Sequence, residues 1–165
     1  ISATTTNTVT VSGTADGAVC SAEDSVTVTV LDPPPCEVAI VFDKLEDDKL
    51  KYKLTNVGGR KATMDTLVVN FPLAYGAVKE VKLDGGIWKK GDSADYPDGL
   101  PSGITIGVDT DWTEADVTKR QLDIGETRTL EVVFTQKSNG GGWVDIVLAG
   151  TATFEEGCAV ELIKP

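Results

Sequence analysis

Valine and threonine alternate twice near the start of the chain. Residues 7–12 read N-T-V-T-V-S and residues 25–31 read S-V-T-V-T-V-L. A period of two is the pattern of a strand with one face buried and the other wet. Val9 and Val11 share one face, as do Val26, Val28 and Val30. Gly13, Gly17 and the polar residues between them mark the connection, so residues 1–31 predict two strands. Asp32-Pro33-Pro34-Pro35 then interrupts the pattern. Consecutive prolines cannot sit in a central strand and favour a stiff, extended spacer. Residues 32–35 are therefore read as a linker between a two-strand extension (1–31) and a main domain (36–165).

The main domain continues in the same period. Leu50, Tyr52 and Leu54 alternate with Lys49, Lys51 and Lys53, which predicts a strand with its apolar row inward over residues 49–56. Further strands are predicted at 37–43, 63–70, 77–83, 103–108, 127–134, 144–154 and 158–163. Turn signals separate them: Glu46-Asp47-Asp48, Gly58-Gly59, Asp84-Gly85-Gly86 and the glycine-rich residues 138–142. Residues 111–119 predict one helical turn, with Thr113 and Asp116 placed like a capping box. About eight short strands with no long helical period predict an all-β fold, an antiparallel β-sandwich.

Four stretches carry a resemblance. The run Asn7-Thr8-Val9-Thr10-Val11-Ser12-Gly13 with Asp24-Ser25-Val26-Thr27-Val28-Thr29-Val30 resembles the last two strands of Ig-like repeat domains in bacterial and archaeal surface proteins. In those families the pair closes a seven-strand sandwich and a proline-rich joint follows; this sequence holds only the pair. Leu54-Thr55-Asn56-Val57-Gly58 and Leu122-Asp123-Ile124-Gly125-Glu126-Thr127 resemble, respectively, the strand-Asn-turn element and the turn before a long strand in such modules. The resemblance implies an Ig-like sandwich with a stalk, adhesin or fibre role.

Composition narrows the chemistry. The 165 residues are 41% hydrophobic, enough for a packed core. With 26 acidic against 15 basic residues the net charge is −11, which disfavours nucleic acid and anionic membrane surfaces as partners. No apolar run approaches the roughly 20 residues of a membrane-spanning helix, so no membrane insertion is expected. The chain opens at Ile1 and is read as a mature product or a piece of a longer polypeptide. It contains no histidine, which removes Ser–His and Cys–His nucleophilic systems and the commonest general base. No nucleotide-binding glycine motif is present. A non-enzymatic protein is the expectation.

Three cysteines, Cys20, Cys36 and Cys158, suit one bridge and one spare thiol. Cys36 opens the main domain and Cys158 lies near its end, so Cys36–Cys158 is the expected disulfide. It implies an oxidising, extracellular compartment; the alternative is three reduced thiols. Cys20 would be free or paired with another chain. Two acidic clusters remain. Asp109, Asp111, Glu114 and Asp116 place hard oxygens in one short segment, a candidate calcium site, although the EF-hand spacing is missing. Asp92, Asp95 and Asp98 form a second acidic loop, and the two sets together hold the carboxylates a glycosidase would draw on. No other cofactor is implied. Trp88, Trp112 and Trp143 are candidate sugar-stacking residues, with core packing expected for at least two of them.

These observations lead to one expectation and one alternative. The expectation is a structural subunit of an extracellular filament, a homopolymer in which residues 1–31 add as strands to the next subunit; the same two strands could instead fold back onto the 36–165 sandwich or cap a preceding domain in a longer chain. Val9, Val11, Val26, Val28 and Val30 would anchor that interface. The alternative is a non-polymerising adhesin or stalk binding module, with carbohydrate as the candidate ligand.

Overall fold

A computed structural model of the chain describes residues 3–30, 33–137, 148–155 and 157–164. The chain forms two compact units, Ile1–Pro34 and Pro35–Pro165.

The first unit is a two-stranded antiparallel ribbon, β1 (Ala3–Ala15) with β2 (Ala18–Val30). Its strands run further than the Val–Thr segments alone predict, because the turn occupies only Asp16 and Gly17. Both have positive φ, +50° and +79°. A two-residue type I′ hairpin requires that of its central residues, and Asp-Gly meets the requirement at little steric cost.

The second unit is all-β with antiparallel sheets. Its strands are β3 (Val38–Glu46), β4 (Lys49–Asn56), β5 (Ala62–Asn70), β6 (Val78–Leu83), β7 (Gly86–Lys89), β8 (Thr105–Ile106), β9 (Gln121–Leu122), β10 (Thr127–Phe134), β11 (Ala149–Phe154) and β12 (Ala159–Ile163). One sheet has the order β3-β4-β10-β6-β7. The other has the order β12-β11-β5-β8, with β9 also pairing β5. Inward rows from both sheets form one core: Leu50, Tyr52 and Leu54 of β4, Leu130 and Val132 of β10, Met64 and Leu67 of β5, Ala152 and Phe154 of β11. The antiparallel β-sandwich predicted by the alternation is present. Phe71, Tyr75 and Phe134 fill one region of the core with ring centroids 4.7–6.4 Å apart.

Local departures from the predicted elements have local causes. The strand expected at 103–108 shrinks to Thr105–Ile106 because Gly103 and Gly107 take positive φ (+84° and +89°) on either side of it. The helical turn falls at Val117–Arg120, and Asp116, not Thr113, caps it by accepting from Thr118 N at 3.0 Å. Thr113 instead accepts from Lys89 N at the edge of β7. The short strand β9 was not predicted. Residues 138–142 and the start of the strand expected at 144–154 lie outside the described residues.

Asn56, at the end of β4, joins two turns that are far apart in sequence. Its Nδ2 donates to Arg60 O (2.8 Å) and Leu122 O (3.0 Å), and its Oδ1 accepts from Gly58 N (3.0 Å). Its backbone N–H donates to Glu126 O and its carbonyl accepts from Gly125 N. Gly58 is required beside it: a Cβ there would lie 2.6 Å from Glu37 N and 2.7 Å from Pro35 O.

Candidate interaction surface

Strand pairing sorts the ribbon's side chains into two unlike faces. Directly opposed residues of an antiparallel pair project to the same side. Thr5↔Val28, Asn7↔Val26, Val9↔Asp24, Val11↔Ala22 and Gly13↔Cys20 define one face. Thr4↔Thr29, Thr6↔Thr27, Thr8↔Ser25, Thr10↔Glu23, Ser12↔Ser21 and Thr14↔Val19 define the other, where Val19, exposed beside the turn, is the one large apolar residue. All four described valines of the predicted interface therefore lie on a single face, and Cys20 lies there as well. Val30 closes β2, and its side chain lies outside the described residues. The opposite face is a hydroxyl ladder, in which Thr6 and Thr27 hydrogen-bond at 3.2 Å and Thr10 donates to Glu23 at 3.3 Å.

The apolar face is uncovered. Val9, Val11, Val26 and Val28 are 63, 66, 62 and 53% exposed, and Cys20 is a free, exposed thiol. A two-stranded ribbon with no opposing layer is marginal in water. Thirteen residues per strand at about 3.3 Å each give a ribbon roughly 40 Å long. Residues 1–34 carry Asp16, Glu23, Asp24 and Asp32 and no lysine or arginine. The surface is thus long, one-sided, apolar at its centre and acidic. The valine pattern was legible in the sequence. The register that also brings Ala22, Cys20 and Asp24 onto the valine face depends on the Asp16-Gly17 turn, which was the available signal.

In the sandwich, Cys36 and Cys158 form the expected disulfide, with Cα atoms 5.6 Å apart. Cys36 precedes β3 and Cys158 precedes β12, so the bridge ties an edge strand of one sheet to an edge strand of the other.

The four edges differ. At β7, Lys89 N donates to Thr113 Oγ1 (2.9 Å) and Glu114 N donates to Ile87 O (3.2 Å), so the following loop covers that edge. β8 has only two residues. β12 is short, and its inward Val160 and Leu162 are buried. β3 is the long one. Among the described residues only β4 pairs with it, and its inward Ile40, Phe42 and Leu45 are half-buried.

The acidic segment serves its own backbone. Asp109 Oδ2 accepts from Thr105 N (2.8 Å) and Glu114 Oε1 accepts from Asp116 N (3.0 Å). Asp116 Oδ1 accepts from both Thr118 N and Thr118 Oγ1, bonds that hold its carboxyl below the ordinary value of 3.8. Asp111 lies in the same loop. Among the described residues no group of three or more Asp, Glu, Cys or His is arranged to hold a metal ion.

Two of the three tryptophans are committed to structure. Trp88 is fully buried. Trp112 donates its Nε1–H to Asp65 O (2.9 Å), and the Arg120 guanidinium lies 5.0 Å from its ring centre, a cation–π contact that occupies one ring face. Trp143 lies outside the described residues. No helix among the described residues is long and apolar enough to cross a membrane. Comparison with protein-family models, curated proteins and solved structures finds no match for the chain.

Proposed function

We propose that the chain is a structural subunit of an extracellular filament or surface fibre, in which the ribbon of one subunit packs on the next. The observation that carries this reading is the ribbon's uncovered valine face. Val9, Val11, Val26 and Val28 would not be sorted onto one side of a free-standing polar ribbon unless a partner covered that side. A head-to-tail contact of this kind does not close on itself and so propagates. The Cys36–Cys158 disulfide supports an oxidising, extracellular setting. The Ig-like resemblance supports a surface role. Homopolymer formation needs no cofactor and no catalytic group.

The test is negative-stain electron microscopy of the purified chain beside a variant lacking residues 1–31. The full chain is expected to give regular fibres. The truncated chain is expected to stay dispersed with an unchanged β-sheet circular dichroism spectrum. Fibres from the truncated chain would show that the ribbon is not the connecting element.

A further inference from the structure

Resting on the ribbon as the connecting element, we infer that the Cys36–Cys158 bridge is a tension bypass. Load entering from the ribbon crosses the bridge into β12, and the sandwich between the two cysteines is not drawn out. The observation that carries this is where the bridge falls. Cys36 directly follows Pro35, and Cys158 directly precedes β12. Their Cα atoms are 5.6 Å apart, although 122 residues of chain separate them. Every strand of the sandwich except β12 lies inside that loop. A covalently closed loop cannot lengthen between its ends while the bridge holds.

The segments outside the loop leave little slack. Pro33, Pro34 and Pro35 favour polyproline geometry, at about 3.1 Å per residue. β12 is a strand, at about 3.3 Å per residue, close to the limit of roughly 3.3–3.6 Å for a fully drawn chain. The path from the linker through the bridge to Ile163 is therefore already extended.

The entry point is also held in place. Pro35 O accepts from Gly59 N (3.1 Å), and Glu37 O accepts from Val57 N (3.0 Å) and Gly58 N (2.9 Å), so three hydrogen bonds bracket Cys36. Without the bridge, tension would run on through Glu37 into β3. That strand ends its sheet, and among the described residues only β4 pairs with it. The bridge instead transfers the load to β12, which belongs to the other sheet.

The test holds single full-length chains between handles at Ile1 and Pro165 in an optical trap, first without and then with a small thiol reductant. Without reductant the ribbon and linker can add at most about 130 Å, and no longer step is expected. Both cysteines are half-buried, within reach of the reductant. Its thiolate attacks one bridge sulfur, forms a mixed disulfide with it and releases the other cysteine as thiolate. The load then reaches β3, and a step of about 400 Å, the length of the freed loop, is expected. Because the bridge itself is under tension, the waiting time before that step should shorten as the applied force is raised. Steps of this length without reductant, no such step with it, or a waiting time indifferent to force would each overturn the bypass. Fibres are not involved in this measurement. A chain that shows the force-dependent step yet forms no fibres would therefore overturn the fibre reading and keep the bypass.

Discussion

The ribbon and the strand β4 are written in the same alternation and end in opposite states. In β4 the apolar row Leu50, Tyr52 and Leu54 is at most 1% exposed; in the ribbon the apolar row Val9, Val11, Val26 and Val28 is more than half exposed. The difference lies outside both strands. β4 has β3 and β10 beside it and a second sheet across the core, while each ribbon strand has only the other. Alternation specifies that two faces differ. Whether the apolar face is covered depends on a second layer, and that layer is where the stabilisation arises, at roughly 25 cal/mol per Å² of apolar surface removed from water. An uncovered row carries no such term.

The comparison sharpens when each region is weakened in turn. The largest effect should come from the bridge that only the sandwich has. Cys36 and Cys158 are 122 residues apart, and loop-closure entropy assigns such a crosslink about 5 kcal/mol. Replacing both by serine should lower the urea midpoint of the sandwich steeply. Next comes the core itself. Leu54→Ala should cost about 3 kcal/mol, because Leu54 is wholly buried and leaves a cavity. Val26→Ala in the ribbon should change the unfolding of dispersed chains by less than about 0.5 kcal/mol. The same substitution should raise the concentration needed for fibre formation. A valine that proves as costly as Leu54 in dispersed chains would mean that the ribbon's face is already covered there.

How far the fold was legible follows the same division. The positions of β4, β5 and β10 could be read from the sequence, and the inward row of β4 from its period of two, because burial on one face imposes it. The sandwich edges could not. Strands β7 and β9 are four and two residues long, too short to show a period. Asn56-Val57-Gly58 and Asp123-Ile124-Gly125-Glu126 were each recognisable as turns. Nothing in either signals that Asn56 bonds Leu122, Gly125 and Glu126 across the fold. The candidate surface divides likewise. The valines were visible, but the half-buried row on β3 depends on which strand ends a sheet. The acidic segment shows the converse: a cluster of carboxylates in sequence whose oxygens are used to hold Thr105, Asp116 and Thr118.

Acid should weaken the sandwich. Burial alone pushes the Asp48 carboxyl up, but the hydrogen bond and charge of Lys79 at 2.6 Å outweigh it and hold Asp48 below its ordinary 3.8. Burial also pushes Glu131 up, and Lys51 and Lys82 together hold it below its ordinary 4.5. A carboxyl whose pKa is lower folded than unfolded adds stability that is complete above the unfolded value and is lost as pH falls through the folded one. The sandwich should therefore lose stability as pH drops below about 4.5, continuing past 3.8. Asp48→Asn should cost about 1–2 kcal/mol at neutral pH, a gap that narrows in thermal melts as pH falls below 3.8 and Asp48 takes up its proton. A gap that persists there would assign the cost to packing at Asp48.

A substitution expected to destabilise nothing tests the covered region from inside. The Tyr52 hydroxyl is buried and has no hydrogen-bond partner among the described residues. Burial pushes the phenol up to about 12. A group with a raised folded pKa contributes stability that is intact below the unfolded value and lost as pH rises towards the folded one. For Tyr52 that window is pH 10 to about 12. Phenylalanine keeps the ring, and with it the edge-on contact to Phe42 at 5.7 Å, while removing the buried oxygen. Tyr52→Phe should be neutral or stabilise by up to about 1 kcal/mol at pH 7. It should also flatten the loss of stability between pH 10 and 12, read from melts across that range. A clear destabilisation at pH 7 would mean that the hydroxyl has a partner and that polar contacts at Tyr52 share in sealing the core.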